Sequence, residues 1–275
     1  IRDRYDPENS LIIDPWITNY GGENPDGVRN ISTDNLGNVL VTGYTYSTLE
    51  ISEDGHMDVF GGVIDGFVAK FNPLGERQWG TYYGASNTDD MVSSAADSDN
   101  NIICVGYTES TTGIAFDGYQ MTKLGTSDGF MVKFDPDGIR IWSTYYGGSA
   151  TDLLLDVRVS ANDDIYSVGY SASSSGVASP GAFQTVYGGS QDLYLVKFNS
   201  DGDRIWATYC GGEDQEYGGG MGLNSDGTAY IAGTTRSTTG IATPGAHQEA
   251  YAANRDAFLV KFDSDGNRIW GTYLG

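Results

Sequence analysis

A motif of the form W-x-T-Y-x-G recurs along this chain and is the feature that most constrains its fold. In strict or loosened form it begins at five tryptophans, Trp16, Trp79, Trp142, Trp206 and Trp270. The intervals between them are 63, 63, 64 and 64 residues. A period this regular indicates copies of one structural unit that bury their apolar faces against each other. The sequence predicts one domain over residues 1–275, with units at approximately 22–84, 85–147, 148–211 and 212–275.

Composition favours strands over helices and excludes some partners. The 39 glycines and 19 tyrosines are typical of strands and tight turns, and no segment shows a sustained helical period. The formal net charge of -22 argues against binding to nucleic acid or to an anionic membrane. No run of 18 apolar residues exists, so we expect no membrane insertion. Because the chain begins without Met and without an apolar signal region, we expect a processed or excised product.

Each unit divides into four apolar segments separated by turns. In the third unit they lie near residues 151–160, 165–171, 193–198 and 203–212. This pattern predicts an all-β protein, a β-propeller of about four blades, each a four-stranded antiparallel sheet. First strands carry the smallest side chains, as at Gly218–Gly220, so we expect them innermost and the Trp strands outermost. An open solenoid of the same units is the alternative.

Several motifs together resemble the SBBP β-propeller repeat. They are D-x-F-x-x-K-F, an N-x-D-G or D-x-x-G turn, W-x-T-Y-x-G-G, an acid ten residues after Trp, G-N-x-x-V-x-G-Y-T and S-T-x-G. The resemblance covers residues from about 11 to 275. It implies a secreted or cell-surface protein of the kind found in bacteria and archaea, including S-layer-like glycoproteins, and it implies no defined enzymatic activity.

The acid ten residues after each of the first four tryptophans is a candidate metal ligand. These acids are Asp26, Asp89, Asp152 and Glu216. Closing the units into a ring would bring the four carboxylates around one mouth of an axial channel. Because oxygen ligands suit a hard cation, the sequence predicts a candidate calcium site on the axis. The alternative is that each carboxylate accepts backbone N–H bonds in the crossover between blades.

A lysine occupies one position of the third strand in every unit, five residues after an aspartate. The lysines are Lys70, Lys133, Lys197 and Lys261, and the aspartates are Asp65, Asp128, Asp192 and Asp256. Lysine is rarely buried unless it is paired. The pattern therefore predicts a structural ion pair with these aspartates or with carboxylates of neighbouring units.

Catalytic patterns are missing from the sequence. His56 and His247 lie in long loops without a G-x-S-x-G elbow, and no His and Cys cluster resembles a zinc site. We expect Cys104 and Cys210 to be small buried hydrophobes. The chain is therefore predicted not to be an enzyme, with no cofactor other than the candidate calcium.

The function favoured by these patterns is that of a non-catalytic extracellular structural or interaction module. We expect a subunit of a cell-surface layer, an adhesin or a filament. The loops between second and third strands are long and contain the aromatic residues Phe116, Tyr119, Phe183 and Tyr187. Their rings could stack on sugars, so a carbohydrate-binding propeller is the second hypothesis. A hydrolase acting on polysaccharide is the third.

One strand is surplus to four blades of four strands. The Trp-type strand occurs both at residues 12–21, with Trp16 and Tyr20, and at residues 268–275, with Trp270 and Tyr273. An unpaired apolar strand is an aggregation hazard, and donation to a neighbouring subunit would satisfy it. Because such a contact is head-to-tail, the sequence predicts a homopolymer joined by strand exchange. The alternatives are a fifth strand on a terminal blade, or a chain that is a slice of a longer array.

Overall fold

Sixteen strands form four antiparallel sheets in the structure, a computed structural model that describes residues 17–275. The first sheet contains β1 (Asp26–Thr33), β2 (Val39–Thr45), β3 (Asp65–Phe71) and β4 (Arg77–Tyr83). The second contains β5 (Asp89–Ala96), β6 (Ile102–Thr108), β7 (Asp128–Phe134) and β8 (Arg140–Tyr146). The third contains β9 (Asp152–Val159), β10 (Ile165–Ser171), β11 (Asp192–Phe198) and β12 (Arg204–Cys210). The fourth contains β13 (Glu216–Leu223), β14 (Ala229–Thr235), β15 (Asp256–Phe262) and β16 (Arg268–Leu274).

Each sheet is one blade, with its strands hydrogen-bonded in chain order. The predicted all-β propeller architecture of four four-stranded blades is confirmed. Tight turns with a glycine at positive φ join the third and fourth strands, as at Gly138 with φ 85°, because only glycine adopts this conformation without strain. Within residues 17–275 no helix has the length and apolar character needed to cross a bilayer.

The blades pack face to face in chain order, and their cores lie between them. One cluster joins blades one and two through Trp79, Tyr83 and Phe130. The second and third blades share a cluster that includes Trp142 and Tyr194, and the third and fourth share another. The first strand of each later blade contacts the preceding blade most extensively. This agrees with the predicted inner position of the first strands.

The first and fourth blades do not pack on each other as neighbouring blades do. Among residues 17–275, no hydrogen bond, ion pair or core cluster joins them. On the first blade, Val28 and Ile31 are 64% and 67% exposed. Their counterparts in the third blade, Leu154 and Val157, are fully buried. The expected ring closure between the first and last blades is therefore not present in the described part of the chain.

The two copies of the Trp-type strand differ in their pairing. The C-terminal copy is β16, which pairs with β15 as the ordinary outer strand of the fourth blade. The other four-stranded blades likewise end on a Trp strand. The predicted N-terminal copy at 12–21 begins outside the described residues, and residues 17–21 form no strand. The C-terminal copy is therefore not the surplus strand.

Candidate functional site

Each of the four predicted acids is the first residue of the first strand of a blade. Hydrogen bonds from its own unit hold each carboxylate in place. Asp89 accepts hydrogen bonds from the Ala85 N–H at 2.8 Å, the Ser110 hydroxyl at 2.9 Å and the Thr108 hydroxyl. Equivalent bonds hold the other three, and their donors are Gly22, Thr45 and Ser47 for Asp26, Gly148, Ser171 and Ser173 for Asp152, and Gly212, Thr235 and Ser237 for Glu216. The alternative interpretation, a carboxylate that accepts N–H bonds in the crossover, is the one the structure shows.

The two hydroxyl donors to each acid were not predicted, although their spacing in the sequence identifies them. A pair of Ser or Thr residues follows each acid by 19 and 21 positions, at the end of the second strand. The pairing across the first and second strands is what brings the hydroxyls to the acid, since Asp89 lies opposite Thr108 in the register.

The predicted axial calcium site is not assembled. Asp26, Asp89, Asp152 and Glu216 are all described, and no three acidic, His or Cys side chains within residues 17–275 lie close enough to hold a metal. Asp89, Asp152 and Glu216 instead each lie beside a third-strand aspartate of the preceding blade. A Cβ on Gly84 would lie 2.5 Å from Asp65 Oδ1 and 2.9 Å from Asp89 Oδ2.

Burial raises the pKa of these junction carboxyls. Desolvation and the nearby charge of Asp89 raise the pKa of Asp65 to about 7, despite N–H bonds from the 61–62 backbone. Desolvation and the charge of Asp192 raise the pKa of Glu216 to about 7, although its hydroxyl partners oppose this. Desolvation also raises the pKa of Asp152. The charged form is disfavoured because few water molecules reach these sites.

The predicted lysine partners are wrong. Lys70 pairs with Asp34 at 3.1 Å and Lys133 with Asp97 at 2.9 Å, both within a blade at the hairpin between the first two strands. Lys197 pairs likewise with Asp164 at 2.9 Å. Five residues along a strand correspond to about 16 Å and to opposite faces, so the aspartates five residues earlier cannot reach. Those aspartates instead accept backbone N–H bonds, as Asp128 does from Leu124 and Gly125.

A repeated interface joins each blade to the next, and we call its donor half the Trp–Lys clamp. In the first blade Lys70 and Trp79 lie directly opposite each other on β3 and β4, so their side chains share a face. Both donate to the carbonyl oxygen of Pro136 in the second blade, Trp79 Nε1 at 2.9 Å and Lys70 Nζ at 3.2 Å. Gly138 of the same turn lies on the indole ring.

The same clamp forms twice more along the chain. Lys133 and Trp142 both donate to the Ser200 carbonyl at 3.1 Å. Lys197 and Trp206 donate to the Ser264 carbonyl at 3.5 Å and 3.1 Å. A small turn with a glycine at positive φ is therefore the recognised element in each of the three interfaces.

The fourth clamp, made by Lys261 and Trp270 on β15 and β16, has no turn against it in the part of the chain that the structure describes. Neither Trp270 Nε1 nor Lys261 Nζ has a hydrogen-bond acceptor within residues 17–275, although Lys261 lies over the Tyr230 ring. A cavity of about 560 Å³ lies beside Trp270, lined by His247, Leu259, Ile269 and Leu274 among others. This open face of the fourth blade is the candidate functional site.

Of the other predicted assembly residues, Trp16 lies outside the described residues and the remaining two pack inside this chain. Tyr20 lies against Phe67 and Phe71 and donates its hydroxyl to the Ile51 carbonyl at 2.5 Å. Tyr273 is buried and donates to the Ser237 carbonyl at 3.0 Å. Both residues therefore stabilise blades of their own chain.

Two of the four loop aromatics pack against a neighbouring blade, and the other two pack within their own blade. Tyr119 contacts Phe198 of the third blade, and the Arg204 guanidinium lies 4.7 Å from its ring centre. Phe183 contacts Phe262 of the fourth blade, with Arg268 at 4.5 Å from its ring centre. Phe116 has Arg140 over its ring, and Tyr187 contacts Tyr209. Loop rings that could stack on sugars thus already have partners on one face.

The predicted cysteines behave as expected, since Cys104 and Cys210 are both free and buried. Burial raises the pKa of the Cys210 thiol to about 12, which keeps it protonated and poorly nucleophilic. His56 packs against Phe134 of the second blade, whereas His247 lines the open cavity beside Trp270.

Two comparisons with known proteins support a β-propeller repeat. A family described as a domain of unknown function (DUF5122) beta-propeller matches residues 181–204. An uncharacterized WD repeat-containing protein of Acanthamoeba polyphaga mimivirus is 23% identical over 318 aligned positions, which cover 94% of this chain. The chain spans 23% of that relative's length. Neither comparison distinguishes the SBBP type from other propeller repeats.

Proposed function

We propose that this protein is a non-catalytic structural and interaction module that binds through the end faces of its blade series. The observation that carries the proposal is the open face of the fourth blade, where Trp270 and Lys261 repeat a clamp that is filled at all three blade junctions. Trp79 and Trp142, which occupy filled clamps, are 3% exposed. An apolar cavity lined by Trp270 is well suited to bind a partner.

The same proposal places the protein outside the cell, as a subunit of a surface layer, an adhesin or a filament. Support comes from the resemblance of the repeat motifs to SBBP repeats. Its partners in such an assembly are further copies of itself. The segment for strand donation is the N-terminal one, because β16 already completes the fourth blade.

The chemistry-bearing groups of the repeat support a structural role. Each acid of the set Asp26, Asp89, Asp152 and Glu216 accepts one N–H and two hydroxyls from its own blade. Three of the four repeated lysines form ion pairs. Repetition itself favours structure over catalysis, since one site per molecule is sufficient for an enzyme.

A carbohydrate-binding role is the second candidate. The favourable observation is that Phe116, Tyr119 and Phe183 remain 41–49% exposed on the long loops. Arginines cover one face of each ring, which leaves the opposite face or edge for a sugar. This arrangement supports weak stacking, whereas the clamp on the fourth blade combines a cavity with directed donors.

A glycan array and a broad panel of hydrolase substrates test the proposal together with electron microscopy of the purified protein. We expect ordered assemblies, no turnover and no glycan selectivity. Turnover that disappears in an Asp89→Asn variant would refute the non-catalytic role. Selective glycan binding lost in Phe183→Ala, with Val186→Ala as an exposed control on the same loop, would favour the second candidate.

A further inference from the structure

We propose that the Trp–Lys clamp of the fourth blade binds the turn at residues 72–75 in the first blade of a second copy of this chain. This inference rests on the proposed interaction role and names the partner. It follows from comparing the two ends of the blade series with its three internal junctions. Within residues 17–275, the fourth blade carries the donor half of a junction and the first blade carries the acceptor half, each without its counterpart.

The donor half is complete on the fourth blade. Lys261 lies opposite Trp270 across β15 and β16, as Lys133 lies opposite Trp142 in the filled clamp of the second blade. The cavity beside Trp270 has a volume of about 560 Å³. Further along the same face, Ala232 and Leu259 are exposed or half-buried. Their second-blade counterparts Val105 and Met131 are fully buried against the third blade.

The acceptor half is complete on the first blade. The turn at 72–75 contains Asn72, Pro73, Leu74 and Gly75, and Gly75 has φ 82°, close to the 85° of Gly138. The Gly75 N–H donates to the Asn72 carbonyl at 2.9 Å, as Gly138 does to Asp135 at 3.0 Å. By repeat position, the Pro73 carbonyl corresponds to the Pro136 carbonyl that Trp79 and Lys70 bind. Leu74 is 68% exposed beside it.

The inner part of the first blade also matches an interface. Val28 and Ile31 stand at positions that are buried in the second and third blades. In the fourth blade, the strand face that would cover them contains small residues such as Ala232, so there is room for these side chains. The apolar area and the clamp together extend over the same face that neighbouring blades bury.

In this docking, Leu274 of one copy replaces Tyr20 of the other at the outer edge of the first blade. Tyr20 now lies over Phe67 and Phe71 of the first blade, in the way that Tyr83 lies over Phe130 and Phe134 of the second. In repeat position Tyr20, Tyr83 and Leu274 are equivalent. Leu274 of the docked copy therefore takes the place of Tyr20.

A second copy is the occupant because one molecule carries both halves at opposite ends. The three internal junctions show that a clamp of this sequence binds a turn of this type. A contact between unlike surfaces is head-to-tail, so each added copy presents a fresh clamp and a fresh turn.

The test is mixing two variants and measuring mass by sedimentation velocity. Trp270→Ala removes the clamp, and Gly75→Ala places a Cβ where the turn would meet the indole ring. Gly181→Ala is the matched control, since its φ is also positive at 79° and a Cβ there meets nothing within 4 Å. Circular dichroism and urea midpoints establish that each variant is folded.

We expect the wild type and Gly181→Ala to associate with increasing concentration, and each of the other variants to associate at least about 30-fold more weakly, as for a central Trp anchor. An equimolar mixture of Trp270→Ala and Gly75→Ala should form heterodimers, because one chain retains the turn and the other the clamp. A wild type that stays monomeric at millimolar concentration overturns the inference. So does an assembly that neither variant weakens, or variants whose mixture stays monomeric. Hydrolytic turnover would instead refute the non-catalytic role and leave the docking measurement unaffected.

Discussion

The indole N–H of Trp79 donates a hydrogen bond of 2.9 Å to the carbonyl oxygen of Pro136, 57 residues further along the chain and in the next blade. Lys70, opposite Trp79 across the sheet, donates to the same oxygen at 3.2 Å. One carbonyl of a tight turn thus receives two donors from the neighbouring sheet. The same bond recurs at the next two junctions. The repeated Trp and Lys residues therefore form both the strands of each blade and the interface between blades.

The turn glycine under each indole should tolerate no side chain. Gly138 has φ 85°, and a Cβ there would lie 2.7 Å from Trp79 Cδ2. We expect Gly138→Ala to lower the free energy of unfolding by about 2–4 kcal/mol, combining left-handed strain with overpacking. Gly181→Ala has the same positive φ with open space and should cost only about 1 kcal/mol. Urea unfolding of both variants measures the difference, and equal losses would contradict the packing argument.

Tryptophans in filled and open clamps should differ in their contribution to stability. Trp142 is 3% exposed and bonded to Ser200, so Trp142→Ala should destabilise the chain by about 3–5 kcal/mol. Within residues 17–275 no turn lies against Trp270, and Trp270→Ala should cost about 1 kcal/mol in dilute solution. Thermal and urea unfolding at low protein concentration check this, because self-association would otherwise add stability. Similar losses for both variants would show that the fourth clamp is covered.

Stability should depend on pH through Glu216. Burial and the charge of Asp192 raise its pKa from 4.5 to about 7, so the folded state keeps a proton that the unfolded chain loses. The contribution of this group to stability therefore declines as pH rises from about 4.5 to about 7. Glu216→Gln removes the titration and should flatten the unfolding free energy across that window, with its largest relative gain above it. A slope equal to that of the wild type would refute the assignment.

Glu213 provides a control of opposite sign. Its slight burial opposes the shift, but hydrogen bonds from Thr238 and Thr239 lower its pKa to about 2. Its stabilising contribution is present above pH 4.5 and is lost as pH falls toward 2. Glu213→Gln should therefore be less stable than wild type at neutral pH and equal to it in strong acid.

Calcium removal should leave the melting temperature unchanged. The carboxylate oxygens of the four acids already accept hydrogen bonds from donors of their own blade. These acids are Asp26, Asp89, Asp152 and Glu216. A ligand bound only by the folded state would raise the melting temperature by mass action. Differential scanning calorimetry with excess chelator and then excess calcium measures this, and a reversible drop of several degrees would restore the axial metal site.

Local sequence patterns determined the strands, their order and the role of the buried thiols. The 63–64-residue period of the tryptophans and the glycine turns specify four-stranded sheets, because strand alternation and turn chemistry act over a few residues. They also indicated that an acid would cap each blade crossover. For Lys133 the sequence predicted an ion pair but not its partner. A buried lysine is usually paired with a carboxylate, but the sequence pattern does not identify which carboxylate.

Tertiary structure alone decided the partners. Asp97 rather than Asp128 neutralises Lys133 because a hairpin brings it back across the sheet, while strand geometry carries Asp128 away. Whether Asp26 and Glu216 meet depends on the packing between the first and last blades, a long-range property that period alone does not fix. The same packing leaves Trp270 open while Trp79, in an equivalent sequence, is buried. Equivalent motifs thus differ in their contacts according to which blade lies beside them.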